Sequence, residues 1–297
     1  MTRALVLSGG GSKGAFQVGV LNHLIEDVGL EYDIVTGVSV GALNAAIMSQ
    51  FDVGRSREAL ECLESIWSER IRGNHSVYRK RHLGWLRVFW APSYFDSSPL
   101  HELVYDCVDG PSHLRSTRLV RVAAVSLDDG ELTFVGNDAP DFREWVIASA
   151  AFPIFLNPVE INGHRWVDGG IRSVTPLGEA IRLGADEIDI IMCSDPRVVR
   201  PWSAPPPSRK NPFTRGAFPA TLLRVLDIYS DQIMDADISV VCAKNQLSQL
   251  NPKYKHVKMN IIAPSTKLTS NVLSFNHEDI MRMMKLGYDA ARSLNIT

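Results

Sequence analysis

The sequence predicts an α/β fold, a three-layer sandwich in which a mostly parallel central sheet is covered by helices. Three observations carry this reading. Short apolar runs of strand type alternate with segments of helical spacing. The run from Glu187 to Cys193 is largely apolar rather than alternating, as expected of a parallel strand buried on both faces. Glycine-rich turns at residues 9–14 and 37–41 each connect such a strand to a helical segment.

The elements follow in order. Thr2 to Leu7 reads as a buried strand, and Ala15 to Val28 as a helix with Phe16, Val20, Leu24 and Val28 recurring every four residues. Asp33 to Thr36 is a short strand, Val40 to Phe51 an alanine-rich helix, and Arg55 to Ile71 a longer helix. Strands at Val120–Leu127 and Glu131–Val135 are joined by the Asp129-Gly130 turn. A helix over Phe142–Ala151 is ended by Pro153, and Asn162-Gly163 marks a hairpin between Val159–Ile161 and Arg165–Val167. Helices at Leu177–Leu183, about 219–236 and His277–Leu294, with strands at Glu187–Cys193 and Val257–Ile262, complete the pattern. Two stretches break the rhythm. Residues 72–99 carry no strong period and suggest a basic, aromatic cap; residues 196–219 contain seven prolines and read as a loop. No repeat or linker separates two cores, so a single domain over residues 1–297 is expected.

Composition narrows the function classes. Of the 297 residues, 45% are hydrophobic and 22% charged, which excludes a disordered or fibrous chain. A net charge of −2 argues against a nucleic-acid partner and leaves membrane attraction to a local patch. Cys62, Cys107, Cys193 and Cys242 form no CxxC pair, so reduced thiols are expected rather than a zinc site or a disulfide framework. The first apolar run, Ala4 to Leu7, is too short for a signal-peptide core, and the stretch Trp145–Leu156 is too short to span a bilayer. A cytoplasmic protein, at most peripheral on membranes, is the expectation.

Chemistry enters with Gly9-Gly10-Gly11-Ser12-Lys13-Gly14. Free N–H groups at a helix start attract negative charge. Such a loop could hold a dinucleotide, cradle a phosphate, form an oxyanion hole, or be a plain tight turn. Asp33 has the spacing of a ribose acid but opens its strand instead of ending it, and Lys13 precedes the last glycine where a P-loop needs it after. Gly37-Val38-Ser39-Val40-Gly41 then decides in favour of hydrolysis, because a serine between strand and helix, flanked by glycines, is the context of a nucleophile elbow. A serine nucleophile needs a base. None of the eight histidines lies in a recognisable active-site turn, and His164 reads as a surface hairpin residue. Asp168-Gly169-Gly170 places a carboxylate on an open turn, although an ordinary Asp-Gly turn would look the same.

Taken together and in this order, the three motifs resemble those of the patatin-like phospholipases. Ala148-Ser149-Ala150-Ala151-Phe152-Pro153, Asp96-Ser97-Ser98-Pro99-Leu100 and the helix from His277 add to a resemblance that spans nearly the whole chain. It implies a Ser–Asp dyad without histidine, acting on acyl esters of lipids. By that resemblance Ser39 is the nucleophile and Asp168 the base. Gly9, Gly10, Gly11 and Gly14 form the oxyanion hole, centred on the N–H groups around Gly10 and Gly11, while Gly37, Gly41, Gly169 and Gly170 shape the turns. Neither metal nor cofactor is required. The rival readings are a soluble carboxylesterase with the same dyad and a non-catalytic lipid-binding module. Arg70, Arg72, Arg79, Lys80, Arg81 and Arg87, mixed with Tyr78, Trp85, Phe89, Trp90, Tyr94 and Phe95, suit either an anionic lipid interface or a cap packed on the core.

Overall fold

The computed structural model describes residues 1–81, 93–110, 116–196, 217–251, 255–269, 271–294 and 296. The main sheet comprises β1 (Arg3–Leu7), β2 (Ile34–Val38), β5 (Leu119–Ser126), β6 (Leu132–Gly136), β7 (Val159–Ile161), β8 (His164–Asp168), β9 (Glu187–Ile191) and β10 (Lys258–Ile262). A separate two-stranded ribbon pairs β3 (Arg79–Lys80) with β4 (Phe95–Asp96). The helices are α1 (Gly14–Asn22), α2 (Val40–Met48), α3 (Ser56–Ser65), α4 (Ser98–Cys107), α5 (Phe142–Ser149), α6 (Leu177–Arg182), α7 (Ala217–Ser248) and α8 (His277–Arg292). Strands β10, β9, β1, β2 and β5 lie side by side and parallel, whereas β6, β7 and β8 pair antiparallel.

Alternation along β1 creates the layers. Leu5 and Leu7 enter a large core with α1, α2, α3 and α8 on one face, while Ala4 and Val6 enter a second core with α6 and α7 on the other. The predicted three-layer sandwich is therefore present, with a mostly parallel sheet in the middle. Helices α1 and α8 cross backbone on backbone. A Cβ at Gly19 would collide with the Met284 carbonyl, and one at Gly287 with the Phe16 carbonyl.

The first and third helices keep their expected extents to within a residue, each finishing in a π turn, over His23–Asp27 and Ile66–Arg70. Other expected boundaries move. The helix expected at 219–236 runs from Ala217 to Ser248, because Met234 and Val241 keep burying the same face beyond the point where the local pattern weakens. Its start takes residues 217–219 out of the proline-rich loop; residues 197–216 of that loop lie outside the described residues. The stretch 72–99, which carries no strong period in sequence, contains a 3-10 turn at Asn74–Ser76, the β3–β4 ribbon and the start of α4. Helix α4 had a local signal, Pro99 in its first turn and Leu100 and Val104 one turn apart. Of the cap aromatics, Tyr78 is buried and stacks on Phe95 at 4.2 Å, its hydroxyl donating to the Leu273 carbonyl at 2.6 Å. Trp85, Arg87, Phe89 and Trp90 lie outside the described residues.

The α1–α8 crossing yields a direct test. Gly287→Ala is expected to lower stability by about 1–3 kcal/mol, because the added methyl has no space to enter. A thermal melt checks this, and an unchanged Tm would mean that the two helices can separate without cost.

Candidate active site

Ser39 is the single residue between β2 and α2, with φ 56° and ψ −126°. A non-glycine residue there is strained, and such strain persists only where its surroundings enforce it. The surroundings are visible. A Cβ at Gly37 would strike the Gly41 carbonyl, and one at Gly41 would strike the Leu7 carbonyl, so the turn packs main chain against main chain. The Ser39 carbonyl accepts from Ala42 N–H at 2.9 Å and from Leu43 N–H at 3.2 Å, opening α2. Its own N–H donates to Ser149 Oγ at 3.1 Å. The hydroxyl thus stands at the positive end of a helix.

Asp168 reaches Ser39 through the sheet. Strand β2 follows β5 in parallel until Val38 opposes Ala123. Strand β8 descends antiparallel until Asp168 opposes Ala124. Because β6 occupies the other edge of β5 over Arg121–Val125, β8 and β2 share one edge and meet end to end. Ser39 and Asp168 are the residues at that junction. The Asp168 N–H donates to the Ala151 carbonyl at 3.0 Å, so the end of α5 and the chain just beyond it bracket both residues through Ser149 and Ala151. Gly169 lies beneath on Ala123.

The carboxyl group is buried. Oδ1 accepts the Gly170 N–H at 2.7 Å, while buried Oδ2 has no hydrogen bond of regular geometry. Burial pushes the Asp168 carboxyl up to about 7; the Ser39 hydroxyl, followed by the Gly170 N–H, pulls the other way. No basic side chain contributes to this balance. The group therefore changes charge near neutrality while facing a hydroxyl.

The glycine-rich loop runs alongside. The Gly9 N–H donates to the Val174 carbonyl at 3.0 Å, and the Gly14 N–H turns back to the Gly11 and Ser12 carbonyls, so both are used inside the fold. Ser12 N–H donates to the Val272 carbonyl at 2.8 Å. Among the described residues, no acceptor takes the N–H groups of Gly10 and Gly11. Of the four glycines expected to form an oxyanion hole, these two retain available donors. Lys13 donates to Ser194 Oγ at 2.7 Å and lies 3.8 Å from Asp227.

A cavity of about 480 Å³ opens over Gly9, Gly10, Gly11, Ser39, Asp168 and Gly170. One arm is walled by Leu43 and Ile47 of α2, Leu63, Ile66 and Trp67 of α3 and its π turn, and Leu100, Leu103 and Val104 of α4. Arg224, Asp227 and Asp231 of α7 line another part. Among the described residues no histidine lines it; His164 is exposed and faces Asp128 at 3.1 Å. Val174 and Val272 carry no local signal for a role at the site, because each acts through a backbone carbonyl, whereas Ala151 lies in the Ala148–Pro153 motif.

Burial of Asp168 makes stability depend on pH. Its carboxyl value is about 7 in the fold and near 3.8 in an unfolded chain. Between these values the native state holds a proton that the unfolded state has lost, so stability falls as pH rises from about 4 to 7. Asp168→Asn is expected to melt higher than the parent at pH 8, and this advantage should exceed that at pH 4.5 by on the order of 3 kcal/mol. An equal gain at both pH values would show that the carboxyl is not held neutral by burial.

Comparison with known proteins identifies the family. Residues 5–181 match the sequence profile of the Patatin-like phospholipase family. A patatin-like phospholipase domain-containing protein of Chaetomium globosum is 32% identical over 198 residues, covering 59% of this chain and 22% of that protein. Another from Neosartorya fischeri is 29% identical over 197 residues, covering 59% and 26%. The chain thus aligns with about a quarter of the length of these relatives. The crystal structure of VipD from Legionella pneumophila aligns with 98% of this chain and 66% of its own at 17% identity and a TM-score of 0.45. With more than half of the chain inside the family profile, the protein belongs to the patatin-like phospholipase family.

Proposed function

We propose that the protein is a lipid acyl hydrolase of the phospholipase A or lysophospholipase type, working through a Ser39–Asp168 dyad and an acyl-enzyme. The observation that carries this reading is the pairing of a strained serine with a buried carboxyl near pKa 7, at the polar end of an aliphatic cavity. A base of ordinary carboxylate strength would hold a hydroxyl proton poorly, whereas one that titrates near neutrality is suited to general-base work.

The steps balance within this site. Ser39 Oγ attacks the ester carbonyl as its proton passes to Asp168 Oδ2. The carbonyl oxygen, now an oxyanion, is received by the N–H groups of Gly10 and Gly11. The C–O bond to the alcohol breaks, and Asp168 returns the proton to the leaving oxygen. Water then attacks the acyl-enzyme, gives its proton to Asp168, and releases the fatty acid as the proton returns to Ser39. The positive end of α2 favours the charge that develops in both halves.

The apolar arm favours a lipid over a short soluble ester, since its walls offer an acyl chain continuous aliphatic contact at ~25 cal/mol per Å². Intact Ser39 and Asp168 at the cavity argue against a purely binding role. Exposed Arg79 and Lys80 of β3 support contact with an anionic lipid surface.

Ser39→Ala is expected to abolish turnover of p-nitrophenyl esters and defined phospholipids, and to abolish labelling by a fluorophosphonate. Asp168→Asn should be nearly as damaging, while no single histidine substitution should be. For the parent enzyme, kcat/KM should rise with pH through an inflection at about 7. Retained labelling in Ser39→Ala would place the nucleophile elsewhere. A flat profile from pH 5 to 9 would remove Asp168 as base.

Leu103→Trp, which fills the arm from α4, should lower kcat/KM for a long-chain ester by about tenfold or more and spare the acetate ester. Equal loss on both substrates would show that the arm does not hold the acyl chain.

A further inference from the structure

Asp237 lies on α7 and is part-buried against the loop between the Asp168 turn and α6. Its Oδ2 accepts the Thr175 N–H at 2.9 Å and the Ser173 hydroxyl at 3.2 Å, and the Val174 N–H favours the same carboxylate. Among the described residues no basic side chain pairs with it. Burial pushes its carboxyl up to about 6, against the pull of these three donors, so at neutral pH it is ionised and its bonds are charge-assisted.

The gripped loop touches both halves of the site. On one side, the N–H groups of Arg172 and Ser173 both donate to the Gly169 carbonyl at 3.0 Å, which makes the loop continuous with the Asp168 turn. On the other, the Val174 carbonyl accepts the Gly9 N–H at 3.0 Å and so anchors the first residue of the glycine-rich loop. Tyr229, two turns earlier on α7, donates its hydroxyl to the Ile171 carbonyl at 3.0 Å. Helix α7 therefore holds residues 171–175 at two points. A part-buried carboxylate without a cation costs the fold desolvation that an apolar side chain would avoid. What the charge supplies is a fixed position for the donors of one short loop.

We propose that Asp237 is a positioning residue for the hydrolytic reaction. It fixes the 173–175 loop and, through that loop, the relative placement of Asp168 and the glycine N–H groups. This rests on the reading that Ser39, Asp168 and those groups carry the chemistry. Displacement of reacting groups by an ångström can cost about a hundredfold in rate, so loss of the grip should appear in kcat.

The test counts working sites with a fluorophosphonate and measures p-nitrophenyl ester turnover per titrated serine. Asp237→Ala is expected to lower kcat per titrated site by about ten- to a hundredfold with KM changed less than about threefold. Asp237→Asn, which keeps an acceptor for the Thr175 N–H, should recover part of that loss. A merely structural role would reduce the titratable fraction and leave kcat per site unchanged, and that result would overturn the proposal. Should Asp237→Ala fail to fold, the double variant Ser173→Ala/Tyr229→Phe removes one bond at each grip point. An unchanged kcat per site there would overturn it equally. Failure of the underlying reading looks different: turnover and labelling would survive Ser39→Ala.

Discussion

The site depends on a discontinuity in the sheet. Along one edge of β5, a parallel strand stops at Val38 and an antiparallel strand arrives at Asp168, and the pairing register places their ends at Ala123 and Ala124. Each strand end would ordinarily leave backbone groups to be satisfied. Here Ser149 takes the N–H of Ser39 and the Ala151 carbonyl takes that of Asp168, so the junction is closed by α5 and its exit instead of by another strand. The consequence is a half-buried hydroxyl beside a buried carboxyl where the ends of β2 and β8 meet along β5.

Much of the remaining architecture holds that junction still. Helix α2 must start at Ser39, and its far end is secured by Arg118, a fully buried guanidinium. Arg118 donates to the carbonyls of Tyr32 at 3.0 Å, Met48 at 3.2 Å and Asp52 at 3.4 Å, and to Ser56 Oγ at 2.8 Å. A cation at a helix C-terminus satisfies carbonyls that have no partner within the helix. Within the same core, Gln17, Asn44 and Trp67 form a buried chain in which Trp67 Nε1 donates to Asn44 Oδ1 at 2.9 Å and Gln17 Nε2 donates to the Ser8 carbonyl at 2.8 Å. Asn44 Nδ2 joins the two by donating to Gln17 Oε1 at 2.9 Å. The cavity wall at Trp67 is thus tied to the strand end that leads into the glycine-rich loop.

The electrostatics follow from the same burial. Asp168 has only a hydroxyl and one backbone N–H to favour its charge, so desolvation dominates. That raises its basicity and lowers stability at and above neutrality, a conflict common where polar groups are held in strained or desolvated positions. Asp237 is raised less: it is only part-buried, and three donors converge on it. Two carboxyl groups, linked by the 169–175 segment, are therefore tuned by how deeply each is buried and by how many N–H and O–H groups meet it.

Local sequence determined the elements and marked Ser39, while Asp168 stood out only through the three motifs taken together. Apolar runs and helical spacing are properties of neighbouring residues, so β1, β2, β9, α2 and the β7–β8 hairpin were legible within a few positions. The Gly-x-Ser-x-Gly and Asp-Gly-Gly turns were legible because small residues are required where main chain meets main chain. Tertiary structure decided the rest. The π turns, the full length of α7 and the β3–β4 ribbon depend on contacts with distant residues. The reduction of four glycines to two available donors depends on which carbonyls, Val174 and Gly11 among them, lie opposite each N–H. The meeting of Ser39 with Asp168, and the grip of Asp237 on their shared loop, depend on strand register and backbone hydrogen bonds. Every residue carries the same N–H and C=O groups, so the side-chain sequence does not encode their partners until the chain has folded.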